Sequence, residues 1–177
     1  MARISWLALS YNLPINPSKA RVYTWRKLRE LGAEYLRQGV ALLPNTAQSN
    51  QQLTLLAQKI RQMGGEASLL EMRFLDPHAE QEMAARFEKQ SQDAYEELLE
   101  DCAATVLRLK KLGNPPTAKE TEAIRRMVKR YCHVRARDYF RAYTGAQEVQ
   151  DGLDELVESV RSVAADVGKQ LRGLLDG

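Results

Sequence analysis

Only two cysteines, Cys102 and Cys132, occur in the 177 residues, far apart and with no CxxC pair. That excludes a disulfide-stapled scaffold and gives no zinc-finger spacing, and both read as small core residues of helices. Histidine is as scarce. His78 and His133 fall in different helical segments without a second ligand at metal-binding spacing, so neither reads as a metal ligand or a general base. Long apolar runs are missing too: no stretch approaches the roughly 18 residues of a membrane span. The opening MARISWLALSYNLP is too short in its apolar part, and lacks the small-residue cleavage site, for a secretory signal. A cytoplasmic location with no membrane partner is expected. The chain also lacks a P-loop, a dinucleotide fingerprint, HExxH and GxSxG. Its paired carboxylates, Glu96-Glu97 and Glu100-Asp101, read as the charged outer face of a long helix. No catalytic, metal or cofactor site is expected, and the protein reads as a non-enzyme.

What is present is enough apolar residue, 44%, to bury a real core, and a charge pattern that the net value of +3 conceals. Residues 1–65 carry nine Lys/Arg against two Asp/Glu, and residues 66–112 carry six against eleven. Residues 113–145 return to eight against three, and the last block holds three against seven. Such alternation lets the basic blocks meet an anionic partner, or the acidic blocks of this chain or of a second copy.

Residues 3–11 are apolar on both alternating faces, Ile4/Trp6/Ala8 and Leu7/Leu9/Tyr11, which predicts a central strand covered on both sides before the breaker Asn12-Leu-Pro-Ile-Asn-Pro17. Ser18 opens a helix with Val22, Trp25, Leu28 and Leu31 as its expected inner stripe, and Gly32 ends it. Residues 33–37 and 40–44 flank Gln38-Gly39 as a hairpin. Ser49 to Met63 predicts a second helix with Leu53, Leu56 and Ile60 inside, and Glu66 to Leu75 a fourth strand. The order β-α-β-β-α-β predicts a ferredoxin-like unit over residues 1–75.

Residues 76–177 read as three helices, mostly antiparallel, making an α+β protein overall. Asp76-Pro77 starts the first, whose stripe runs through Met83, Phe87, Tyr95, Leu98, Cys102, Val106, Leu109 and Leu112. Thr117-Ala-Lys-Glu120 is a capping-box pattern opening the next, with Ile124, Met127, Val128, Tyr131 and Val134 inside. The last is expected to run unbroken from about Ala146, with Val149, Leu153, Leu156, Val160, Val163, Val167, Leu171 and Leu174 in a nearly heptad seam. Its glycines, Gly152, Gly168 and Gly173, require packing support within the chain or in a dimer.

Two basic surfaces stand out. The first comprises Lys19, Arg21, Arg26, Lys27 and Arg29 of the first helix, with Arg37 in the hairpin. The second is a ridge of Arg126, Arg130, His133, Arg137 and Arg141 at spacings of three and four on the helix after the double proline. Each reads either as a solvated face, the ridge paired to the acidic third helix, or as an anion-binding face. Guanidinium's planar fork of donors favours phosphate or oxyanion contact. Trp6 and Trp25 are both expected in the core.

The run Leu13-Pro14, Pro17-Ser18, Arg21, Trp25-Arg26-Lys27-Leu28, Gly32-Ala33, Leu36, Gly39-Val40 and Leu43-Pro44 resembles the opening of ChrB N-terminal domains. The stretch Arg135-Ala-Arg137-Asp138-Tyr139-Phe140 is similar to an Arg-Asp-aromatic-Phe element later in those domains. The resemblance spans roughly residues 4–145. It implies a bacterial or archaeal protein linked to a chromate-resistance operon, whose family members are chromate-responsive transcriptional regulators; DNA, chromate or another oxyanion, and a second copy in a homodimer are the expected partners. The sequence stops at Gly177, so the larger C-terminal domain of full-length members, and its part in sensing, is not expected here. The first segment is also similar in fold to PaaX-type repressors and to small CRISPR-associated nucleases. The nucleases hold a metal on an Asp after the first strand, where this chain has Asn12, an unsuitable ligand for metal-assisted hydrolysis. A non-catalytic protein-protein interaction or dimerisation module is the alternative to the regulator.

Overall fold

Four consecutive residues, Trp6, Leu7, Ala8 and Leu9, are buried, so the first strand has no solvent face. A computed structural model describes residues 4–15, 18–141 and 143–176. Arg3, Asn16 and Pro17, which the sequence places in the first strand and its breaker, lie outside these. Strand β1 (Trp6–Asn12) is flanked on both sides, by β3 (Val40–Pro44) and β4 (Glu66–Met72), and β2 (Glu34–Arg37) completes an antiparallel sheet in the order β2-β3-β1-β4. The central position expected from two apolar faces is observed. Register is set by pairs such as Leu9↔Ala41 and Leu9↔Leu69. The hairpin turns at Gln38-Gly39, where Gly39 has φ +76° and its carbonyl accepts from the Tyr11 N–H at 2.8 Å. A Cβ there would meet the Tyr11 carbonyl oxygen at 2.9 Å, so both the turn and the close approach require glycine.

Helix α1 (Lys19–Glu30) corrects one expectation. It buries Ala20, Thr24 and Leu28, while Val22 and Trp25 face solvent. The anticipated stripe advanced in steps of three, and each such step falls about 60° short of a full turn, so its members drift round the helix. Steps of four stay closer to one face, and they select the smaller residues for the interior. Helix α2 (Ala47–Gln62) behaves as its sequence indicates. Thr46 Oγ1 accepts from the Ser49 N–H, and Leu53, Leu56 and Ile60 are buried as it packs on β1 and β4.

Helix α3 (Pro77–Leu112) starts where Asp76 accepts the His78 N–H at 2.9 Å, and its first turns reach β1 and β2. There Trp6 packs against Phe87 and Phe74, its Nε1 donates to Glu80, and Arg86 pairs with Glu34 of β2 at 2.8 Å. Fully burying each such apolar side chain contributes about 2 kcal/mol.

The chain divides into two compact units, Met1–Phe87 and Glu88–Gly177, with α3 running from one into the other. The second is built from the rest of α3 and from α4 (Ala118–Arg137), α5 (Ala146–Arg161) and α6 (Ala165–Asp176). Its core joins Tyr95, Leu98, Cys102, Ile124, Val128, Tyr131, Leu153, Val157, Val160, Leu171 and Leu175. The capping box at Thr117 and Glu120 is complete.

The single last helix expected from the seam is instead two. The chain breaks at residues 162–164, and α6 packs on α5. Val163, assigned to the seam, is exposed at the break, and Leu175 takes the buried place expected of Leu174. Gly168 permits the return, because a Cβ there would sit 2.6 Å from the Arg161 Cα. The apolar seam thus closes within the chain, a gain in core area that a straight helix would leave to a partner.

Candidate nucleic-acid interface

The inward rotation of Ala20, Thr24 and Leu28 decides what α1 presents outward. Arg21, Trp25 and Arg29 form one row at four-residue spacing, with Arg26 and Lys19 beside it. All five are exposed, and Trp25 is 49% accessible. The row has internal order. The Arg29 guanidinium carbon lies 5.4 Å from the Trp25 ring centroid, a cation–π distance, and Arg21 donates to the Ile15 carbonyl at 3.1 Å. Among the described residues none of Lys19, Arg21, Arg26, Arg29 and Arg37 has an acidic partner. Lys27 differs, pairing with Glu30 at 2.6 Å, and that carboxylate raises its pKa. Arg37 is exposed on β2.

The second basic surface is arranged differently. Arg130 pairs with both Glu97 (2.7 Å) and Asp101 (2.8 Å), which are one turn apart on α3. Arg126 is exposed and Arg137 is half-buried. Arg141, expected to continue the ridge, does not: α4 ends at Arg137, Asp138 caps it, and Arg141 sits beyond with φ +49° and its N–H donating to Asp138 Oδ1. The nearby Arg135 lies over Tyr131 and donates to the Leu175 carbonyl. Much of this cationic face is engaged within its own unit.

Trp25, expected in the core, is exposed instead. Its four-residue spacing from Arg21 and Arg29 is the sequence signal that places it on a charged face, against the general preference of tryptophan for burial. Trp6, fully buried, follows that preference.

Other sites offer less. A cleft of about 530 Å³ in the second unit is lined by Val106, Leu109, Pro116, Leu156 and Val163, and its one cation, Lys110, pairs with Glu155 at 2.7 Å. Burial pushes the Cys102 thiol up to about 11, away from thiolate chemistry. His78 is exposed beside Glu82 at 3.3 Å. Asn12 ends β1 opposite Glu66. Among the described residues no three His, Cys, Asp or Glu side chains gather as a metal site, and no helix is long and apolar enough to cross a membrane.

An α+β chain with a basic, aromatic outer face on its first helix is the class that fold and surface define. The family model described as "Protein ChrB, N-terminal" matches residues 21–173. The chain belongs to the ChrB N-terminal family. It is similar to Protein ChrB of Cupriavidus metallidurans (strain CH34), at 34% identity over 90 residues, or 51% of this chain and 28% of that protein. The matched stretch is therefore just over a quarter of that relative's length.

Proposed function

We propose that this chain is a ChrB-like transcriptional regulator of chromate resistance that binds DNA through α1, with a ferredoxin-like βαββαβ unit as the scaffold holding that helix. The observation that carries the reading is the exposed cluster of Lys19, Arg21, Arg26 and Arg29, which have no acidic partner among the described residues, in contrast to Arg130. Family membership supports it. In this reading the protein is a non-catalytic cytoplasmic homodimer, and chromate or another oxyanion is the effector, met by guanidinium donors.

A salt titration of DNA binding is the test. Four phosphate contacts correspond to a slope of log K against log salt of about −3.6, or roughly a hundredfold weaker binding at 200 mM than at 50 mM. Affinity independent of salt would contradict the reading. The second reading, a protein-protein or dimerisation module, draws on the exposure of Val22, Tyr23 and Trp25 on the same helix. It becomes the better one if DNA does not bind and replacing these residues shifts the oligomer mass.

A further inference from the structure

We infer that Trp25 is a stacking platform for an unpaired nucleic-acid base, so that α1 engages single-stranded or locally opened nucleic acid. This rests on the nucleic-acid reading above and goes further by naming what the helix recognises. An exposed indole leaves a large apolar surface in water, and α1 turns it outward while giving the interior to Ala20 and Thr24. Arg29 lies over the ring at 5.4 Å, Arg21 precedes it by one turn, and Arg26 follows it in sequence.

The chemistry separates the possible partners. An acidic peptide would satisfy the arginines but offers no flat surface to the indole. Paired duplex DNA offers phosphates but keeps its base faces stacked inside the helix. An unpaired base offers both, a π face for the ring and flanking phosphates for guanidinium forks, which is the combination single-strand binding surfaces use. Trp25 is then the contact that distinguishes an opened strand from a closed duplex, while the cations hold either.

The full chain reports on this directly, because its only other tryptophan, Trp6, is fully buried. The experiment titrates it with oligo(dT) of about 15 nucleotides, with the matching dA·dT duplex and with poly-glutamate, following intrinsic fluorescence and affinity. Oligo(dT) is expected to quench the fluorescence. Trp25→Ala should weaken oligo(dT) binding about tenfold or more, Trp25→Phe should retain most of it, and duplex binding should change less than about twofold, with an unchanged circular-dichroism spectrum. Unquenched fluorescence with oligo(dT) affinity unaffected by Trp25→Ala would overturn the inference while leaving the phosphate-contact reading standing. Equal loss on single strand and duplex would overturn the claim of an unpaired base. Tight poly-glutamate binding with the same loss would assign the surface to an acidic protein, and binding of neither DNA would overturn both readings.

Discussion

The helices α1 and α4 are both rich in arginine and both amphipathic, yet the fold treats their charges differently. On α4, Arg130 is clamped between Glu97 and Asp101 of the neighbouring helix. On α1, no carboxylate among the described residues pairs with Lys19, Arg21, Arg26 or Arg29, and the helix's one acidic residue, Glu30, is engaged with Lys27. Counting charge along a sequence therefore finds basic helices without distinguishing structural ones from available ones. The counter-charge decides, and it arrives through tertiary packing.

Reversing the charge on α1 should separate the two helices most strongly. The double reversal Arg21→Glu/Arg26→Glu should reduce DNA affinity by a hundredfold or more at about 100 mM salt, while the melting curve stays within about 0.5 kcal/mol per site of the parent because both residues are exposed. Electrophoretic mobility shift and thermal melting measure the two quantities. The mirror experiment on α4 should give the opposite pattern. Arg130→Ala leaves Glu97 and Asp101 close together without their shared cation, so stability should fall by up to about 1 kcal/mol, a modest value because all three side chains are partly exposed. DNA affinity should change less than twofold.

Local and tertiary constraints divide the molecule in the same way. The strands were legible because their constraints are local: β1 has two apolar faces, and Gln38-Gly39 supplies a turn that tolerates positive φ. The capping box at Thr117 and the inner faces of α2 and α4 were legible for the same reason, whereas the start of α2, expected at Ser49, lies at Ala47 with Thr46 as its cap. The inner face of α1 was not. Its hydrophobic residues are outnumbered by charges, and which side goes inward depends on how α1 packs on its neighbours, α2 among them. The break between α5 and α6 was hidden because Ser162-Val163-Ala164 holds no strong helix breaker, and only the packing of α6 on α5 makes a turn there favourable. The candidate site followed the same division. Its arginines were visible as residue types, whereas the pairing of Arg130, the departure of Arg141 and the exposure of Trp25 all depend on tertiary structure.

Two smaller effects sharpen the account of each helix. The buried Thr24 Oγ1 of α1 has no hydrogen-bond partner among the described residues, so Thr24→Val should raise stability by about 1 kcal/mol by removing an unsatisfied hydroxyl at constant shape. It should leave DNA binding unchanged, and an unaltered or lower melting temperature would contradict it. At the start of α4, hydrogen bonds from the Thr117 backbone and hydroxyl hold the Glu120 carboxyl below its ordinary value. A depressed folded-state pKa means that the contribution is present above the ordinary carboxylate value and is lost as pH falls through the lowered one. Glu120→Gln should therefore flatten the acid limb of the stability profile slightly, as followed by urea melts across that range.

In the proposed function α1, and not α4, meets the nucleic acid. The salt dependence of DNA binding, compared between Arg21→Ala/Arg26→Ala and Arg126→Ala/Arg130→Ala, separates the two helices. The α1 pair is expected to lower the slope of log K against log salt by about two units, and the α4 pair to leave it unchanged. A lowered slope for the α4 pair with an unchanged slope for the α1 pair would contradict it.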